Sequence, residues 1–323
     1  MKRICVILLN MGGPSRGEEV QPFLEAMFRD PDLIQFPFKN ILAPFIIRRR
    51  TPVARARYAQ IPGGSPLLKM TMAQAEALEK NLNKNRQATF RVIPGMRYTQ
   101  PTISDAVETA VEWECDELVG LSMYPQYCAA TIGSSILELK RVAAVHRVQS
   151  RLTIIDRYSE HPLYIQAVQA VFEQTVRGFN ATPFVLFSAH GVPLRMVRRG
   201  DPYVSETEAT VKAVTQSLGL GEGQYRLAYQ SRMGPVRWVG PSTDQVINEL
   251  GDRGIKNLVF VPISFTVDNL ETLYDIEIIF KKQAHDAKIE HVLRTPALNV
   301  IPEFISALES LVKQAIELPL SVQ

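Results

Sequence analysis

Of the five histidines in the chain, His190 stands where a side chain can do chemistry. It follows the apolar run 184–188 and precedes Gly191 and Pro193, which puts it at the carboxyl end of a buried strand, in a tight turn. An imidazole there can accept a proton near neutral pH or bind a borderline metal. A histidine that only caps the strand is the competing reading. His146, His161, His285 and His291 lie among charged residues in helical or connecting stretches, where a solvated ring is expected. A second group is acidic: Asp268, Glu271 and Asp275, in a segment where a buried strand runs into a helix. Their i, i+3, i+7 spacing puts three carboxylates on one face of an α-helix. Such a line can conduct protons or strip water from a divalent cation. Asp268 with Glu271 three residues later also reads as a capping box, and acids suit a helix N-terminus. Asp275 lies beyond the first turn and escapes that explanation. Arg97 and Tyr98 follow the run 90–93 and can hold an anionic or planar ligand or simply pack at a domain edge. Trp238 and the pair Tyr124 and Tyr127 also fall just after strands, where aromatic rings make flat walls for a flat ligand.

The elements that must position these residues are legible as a repeating pattern. Apolar runs at 4–9, 90–93, 117–122, 153–155, 184–188, 226–230 and 257–265 alternate with helical patterning at 18–28, 72–82, 104–114, 134–145, 162–179, 206–218, 243–250, 271–284 and 302–318. Runs apolar throughout suit strands buried on both faces, and strand–helix alternation makes βαβ units. The fold class is therefore α/β. The pattern runs twice, with a change near 150–165, so the expectation is two similar Rossmann-like doubly wound lobes, parallel sheets flanked by helices, with a cleft between them. Residues 1–155 form the first lobe, 156–300 the second, and the last helix in 301–323 packs back on the first. In such sheets ligands sit outside the carboxyl ends of the strands. Residues 35–61 break the alternation and mix large apolar residues with arginines. Two readings stand: an irregular helical insertion with a solvated basic face, or a lip that covers an apolar, anionic ligand and dips into the membrane interface.

Bulk composition excludes several function classes. With 323 residues, 46% hydrophobic and 21% charged, the chain is globular and long enough for two domains. A net charge of +3 implies no extended nucleic-acid surface. Cys5, Cys115 and Cys128 share no CxxC spacing, which argues against a disulfide framework or a structural zinc or iron–sulfur site and fits a reducing cytoplasm. The apolar run near the N-terminus is too short for a signal peptide, and no stretch reaches the ~18 apolar residues of a membrane span. Phosphate-loop, GxGxxG and GxSxG motifs are absent.

Ten motifs in one order carry a resemblance: LNMGGP (9–14), LAPFI (42–46), GGSP (63–66), YPQY (124–127), GSS (133–135), LFSAHG (186–191), RGDPY (199–203), YQSRMGP (229–235), WVGPSTD (238–244) and LETLY (270–274). Over about residues 3–317 the chain resembles ferrochelatase, the terminal enzyme of haem synthesis. The resemblance implies insertion of Fe2+ into protoporphyrin, with porphyrin and ferrous iron as the partners. It makes His190 the active-site histidine, as proton acceptor or metal ligand, and Glu271 the facing carboxylate, with Asp275 continuing the acidic line; the spacing adds Asp268 to the same proton or metal path. Met11 faces the macrocycle opposite His190, and Phe28, Leu33, Arg50, Tyr58, Ser65, Arg97, Tyr98 and Trp238 line the porphyrin pocket. Methionine rather than tyrosine at position 11 is similar to the protoporphyrin-using branch and not the coproporphyrin-using one. The helix after position 271 is one that the family distorts toward π geometry. Three departures stand out: Asn269 where relatives commonly carry a second histidine, Ile279 where many carry another acid, and no cysteine-bearing C-terminal extension. The last implies no iron–sulfur cluster and a monomer rather than a dimer. The remaining expectations are no tightly bound cofactor, a cytoplasmic protein at most peripheral to the inner face of the membrane, and no nucleic-acid partner. A chelatase for another pair, such as cobalt and sirohydrochlorin, and a non-catalytic porphyrin-binding protein are the rival readings.

Overall fold

Strands with apolar residues on both faces need cover on both sides, and that requirement sets the architecture. The computed structural model describes residues 1–317 except 32, 34–37, 86–87, 178, 180–181, 232–233 and 235. The chain divides into two units, one formed by Met1–Arg157 with the segment from Phe304 onward, the other by Tyr158–Glu303. In the first unit β1 (Arg3–Asn10), β2 (Thr89–Met96), β3 (Glu117–Ser122) and β4 (Leu152–Ile155) pair in parallel, in the order β2-β1-β3-β4. The second repeats this with β5 (Phe184–His190), β6 (Tyr225–Gln230), β7 (Asn257–Pro262) and β8 (His291–Arg294), in the order β6-β5-β7-β8. The first unit carries α1 (Val20–Arg29), α2 (Lys39–Tyr58), α3 (Leu67–Leu82), α4 (Ile103–Glu112) and α5 (Ser134–Val145). The second carries α6 (Pro162–Val176), α7 (Leu194–Arg198), α8 (Tyr203–Leu218), α9 (Thr243–Asp252) and α10 (Lys281–Asp286). From Phe304 onward α11 (Pro302–Ala315) belongs to the first unit, where Phe304, Ala307, Leu308 and Val312 are buried.

Each sheet has its own core. Cys5, Ile7 and Leu9 pack with Val107, Leu118, Leu139 and Val142 in the first, and Leu186, Phe260, Ile247, Leu250 and Ile276 pack in the second. Each fully buried aliphatic or aromatic side chain contributes about 1.5–3 kcal/mol, so burial of these side chains is what holds each sheet to its helices. The repetition extends to the turns. Thr102 and Asp105 form a capping box at the start of α4, and Ser242 and Gln245 form one at the start of α9. The residue before each box is a proline whose carbonyl accepts from the preceding strand: Met96 N–H to Pro101 at 2.8 Å and Tyr229 N–H to Pro241 at 2.9 Å.

Three elements differ from the sequence expectation. The strand β8 was not expected: His291-Val-Leu-Arg294 is short and polar at both ends, and only its pairing with β7 makes it a strand. The run at 257–265 ends as a strand at Pro262. Most of the irregular insertion is one continuous helix, α2, in spite of Pro44 and Pro52, each of which removes a donor and bends a helix. Ala43 and Ile47 recur at i, i+4 and bury against Phe28 of α1, which supplies the cover that the local sequence does not. The expected residues at 35–37, part of the YQSRMGP motif and the far end of the 302–318 pattern lie outside the described residues.

Candidate functional site

A 2-1-3-4 strand order creates a switch point between its first and third strands, where the chain leaves in opposite directions and a crevice opens at the carboxyl edge. In the second unit that point lies between β5 and β7, and His190 is the last residue of β5. Its backbone N–H donates to the Ser264 hydroxyl at 3.0 Å, from the turn that follows β7. The imidazole Nδ1 lies 2.7 Å from the Gly191 carbonyl oxygen. A carbonyl only accepts, so Nδ1 carries the hydrogen and the neutral ring keeps its lone pair on Nε2. The ring stands edge-on to Phe265, with centroids 6.4 Å apart. Gly191 allows this turn: a Cβ there would lie 2.8 Å from the Gln230 carbonyl oxygen and 3.4 Å from the Trp238 ring. Trp238 itself arrives from the loop after β6 and bridges to Pro193 beside that glycine.

The acidic segment leaves the neighbouring strand β7. Residues Glu271–Phe280 form a π-helix that continues into α10. It turns less per residue than an α-helix, so the i, i+3, i+7 face read from the sequence does not carry over unchanged. Glu271 and Asp275, both half-buried, remain within one turn of each other. The helix start is capped one residue later than expected. Asn269 Oδ1 accepts from the Thr272 N–H at 3.1 Å, and Thr272 Oγ1 accepts from the Asn269 N–H at 3.0 Å. This reciprocal cap replaces the expected Asp268 and Glu271 box, and it gives Asn269 a structural role. Asp268, placed by the spacing on a proton or metal path, is engaged on both oxygens. Oδ1 accepts from Arg294 and from Thr272, each at 2.8 Å, and Oδ2 accepts from Asn299 at 2.9 Å. A carboxylate engaged in this way anchors the segment.

At the equivalent edge of the first unit, Met11 follows β1 as the chain passes the β1/β3 switch point. Its N–H donates to the Tyr124 hydroxyl at 3.0 Å, from the loop after β3, much as the His190 N–H meets Ser264. Arg97 and Tyr98 run alongside, their N–H groups bonded to the carbonyls of Asn10 and Met11. Ser65 is buried against the same turn, close enough that a Cβ on Gly13 would lie 2.7 Å from its hydroxyl. The structure thus gathers Met11, Ser65, Arg97 and Tyr98 at one edge. Sequence reasoning missed Asp30, the residue after α1. Its carboxylate pairs with Arg97 at 3.0 Å and accepts from the Tyr98 hydroxyl at 2.7 Å and from Ser134. Its partners lie 67 to 104 positions away, so no window of sequence shows the cluster. Arg97 donates to Ser134 through Nε and stacks on the Tyr98 ring, so its guanidinium is largely committed within the protein.

Arg50 and Tyr58 lie half-buried on α2, and Leu33 is half-buried ahead of it. Burial, and then the charge of Arg57, hold the Arg50 guanidinium below its ordinary value, a setting that an incoming carboxylate would relieve. Phe28 lines a concavity of about 860 Å3 between α1 and α2, with Ala43, Pro44 and Ile47 on its walls and Arg29, Lys39, Arg48 and Arg55 among its cations.

Comparisons with known proteins agree with one another. The sequence model of the family described as ferrochelatase matches residues 3–316. Among curated relatives, a ferrochelatase of Geotalea uraniireducens is 41% identical over 98% of both chains, and one of Aquifex aeolicus is 38% identical over 96% of this chain and 99% of its own. A mitochondrial ferrochelatase of Xenopus laevis is 39% identical over 95% of this chain and 77% of its own. Among solved structures, SirB from Bacillus subtilis with Fe3+ superposes with a TM-score of 0.61 at 12% identity, covering 98% of this chain and 96% of its own, which speaks to the fold. A sirohydrochlorin chelatase from Bacillus subtilis subspecies spizizenii in complex with cobalt gives 0.56, also at 12% identity, covering 98% and 97%. With a match along nearly the whole length and relatives at about two-fifths identity, this chain belongs to the ferrochelatase family.

Proposed function

We propose that this protein is a protoporphyrin ferrochelatase: it inserts Fe2+ into protoporphyrin IX, releases two protons and forms protohaem, the last step of haem synthesis. The observation that carries this reading is His190, with Nδ1–H held by the Gly191 carbonyl and an Nε2 lone pair left to accept a proton at the switch point. Metallation requires the pyrrole N–H protons to leave as Fe2+ loses its water and binds the ring nitrogens. His190 takes pyrrole protons one at a time through Nε2 and returns them to solvent. Glu271, at the head of the π-helix, offers an oxygen ligand and negative charge to the incoming cation, and Asp275 continues the line. Within the second unit Trp238 provides flat surface for the macrocycle, and within the first Met11 provides apolar surface while Arg50 with the other α2 cations suits propionates. Iron is substrate here, and the reaction needs no resident cofactor.

A steady-state assay tests the reading. Fe2+ with protoporphyrin should turn over at least tenfold faster in kcat/KM than Fe2+ with coproporphyrin, in line with methionine at position 11, and Co2+ with sirohydrochlorin should not turn over. A preference for sirohydrochlorin would mean a different chelatase. A Soret shift without turnover would mean a porphyrin-binding protein.

The same reading extends to a membrane surface and a cytoplasmic, monomeric enzyme. On α2 and just before it, Phe38 (76% exposed), Ile41, Phe45 (70%) and Val53 face solvent beside exposed Arg48 and Arg49. Large apolar side chains interleaved with cations suit the interface of an anionic bilayer, and no described helix is long and apolar enough to cross one. Co-sedimentation with vesicles containing phosphatidylglycerol should retain the wild type and release a Phe38→Ser, Phe45→Ser variant. Equal retention of both would remove the lip from the contact.

A further inference from the structure

A ten-residue π-helix is a costly conformation and persists only where its surroundings over-determine it. In this chain a single side chain ties both sides of the segment. Arg294, at the end of β8 and 11% exposed, donates through Nη1 to Asp268 at 2.8 Å, just ahead of the helix. Through Nε it meets Glu277 at 3.3 Å, six residues into it. Asp268 in turn accepts from Thr272 and Asn299, and its own N–H donates to Asn299 Oδ1 at 3.0 Å. The clamp is selective for the wider helix. Rewinding to α geometry, at about 100° per residue, would add rotation at every step and carry Glu277 far around the axis from Arg294. The same rewinding would swing Asp275 relative to Glu271.

We propose that Arg294 is a positioning residue: by bridging Asp268 and Glu277 it locks the π geometry, and so sets how Glu271 and Asp275 meet the incoming metal. Arg294 acts through Asp268 and Glu277, and the part that concerns metal rests on the ferrochelatase reading above.

Two readouts on the full chain test it, for Arg294→Met and for the milder Glu277→Gln. The first is hydrogen exchange, which does not depend on activity. Amides of 271–280 should exchange at least tenfold faster in Arg294→Met, with β5 and β6 unchanged. The second is a split in the kinetics: KM for Fe2+ should rise roughly tenfold while KM for porphyrin stays within twofold, with Glu277→Gln moving the same way by a smaller factor. Arg294→Lys keeps the charge but cannot fork to two carboxylates, and should restore less than half of the loss. Unchanged exchange in 271–280 would overturn the clamp. Equal rises in both KM values would overturn its metal-side role. Failure of the wild type to insert metal would count against the ferrochelatase reading and leave the exchange result standing.

Discussion

Replacing His190 with alanine is expected to lower kcat for iron insertion by roughly 10²- to 10⁴-fold, the usual contribution of a positioned general base. The affinity for porphyrin, read by fluorescence quenching, should stay within a few-fold, since the ring contributes one edge among several apolar surfaces. The expectation follows from the hydrogen bonding of one ring. With Nδ1–H spent on the Gly191 carbonyl, Nε2 is the acceptor, and its lone pair is the basic one. Alanine removes two things together, the base and the link that shapes the turn. His190→Asn separates them, because an amide N–H can still donate to the Gly191 carbonyl while the side chain offers no basic nitrogen. The His190→Asn variant should fold and melt like wild type yet lose as much activity as the alanine variant. If it inserted iron at more than a tenth of the wild-type rate, the proton would be leaving by another route and His190 would be a strand cap. A Glu271→Gln variant run beside it should instead raise KM for the metal, because it removes the charge that meets the cation.

Asp30→Ala is expected to be strongly destabilising, at about 3 kcal/mol, because it leaves the half-buried Arg97 guanidinium without its counter-charge. The Asp30 side chain is 1% exposed and its partner Arg97 20%. The same substitution strips Tyr98 and Ser134 of a shared acceptor. For a unit of this size the loss corresponds to a fall in Tm of roughly 10 °C. Asp30→Asn keeps an acceptor for the Tyr98 hydroxyl and should lose less. A melting temperature within about 1 °C of wild type for the alanine variant would mean that the pair contributes nothing net. The cluster also has a pH signature. Burial first, and then the bond to Asp30, push the Tyr98 phenol above its ordinary value of 10. A group whose folded value is raised contributes stability that is fully present below the unfolded value and is lost as pH rises beyond it. Wild type should therefore keep this contribution up to about pH 10 and soften above it. Asp30→Ala should soften less over that window, since part of the upward push is gone. Because Asp30 closes α1 and heads the segment leading to α2, its loss should also raise KM for porphyrin through the displaced Arg97 and Tyr98.

Much of the fold was legible because its signals are local. Seven of the eight strands among the described residues coincide with apolar runs, since a strand covered on both faces favours apolar side chains. His190 could be singled out for the same reason: the run before it and the glycine and proline after it fix a strand end within a short window. The strand β8 carries no such run: its ends are His291 and Arg294, only Val292 and Leu293 between them are apolar, and its pairing with β7 defines it. The sequence reads 35–61 as an irregular helical insertion or a lip; residues 39–58 form one helix, with Ala43 and Ile47 packed on Phe28.

The site divides along the same line. The doubly wound class, the family and the strand end that presents His190 are written in short stretches of sequence. Which carboxylate of the acidic segment is an anchor depends on contacts from far along the chain. Spacing puts Asp268, Glu271 and Asp275 on one face and reads the first two as a capping box, which does not say which carboxylate anchors the segment. Arg294 and Asn299, 26 and 31 positions on, engage Asp268 on its two oxygens and make it the anchor. Asp30, one charge among others in its stretch of chain, becomes the pivot of a buried cluster because its partners lie just past β2 and at the start of α5. Periodicity and turn chemistry act over a few residues and can be read from them. The pairing of buried charges depends on which distant segments the sheet brings to one edge, and that is settled only when the chain has folded.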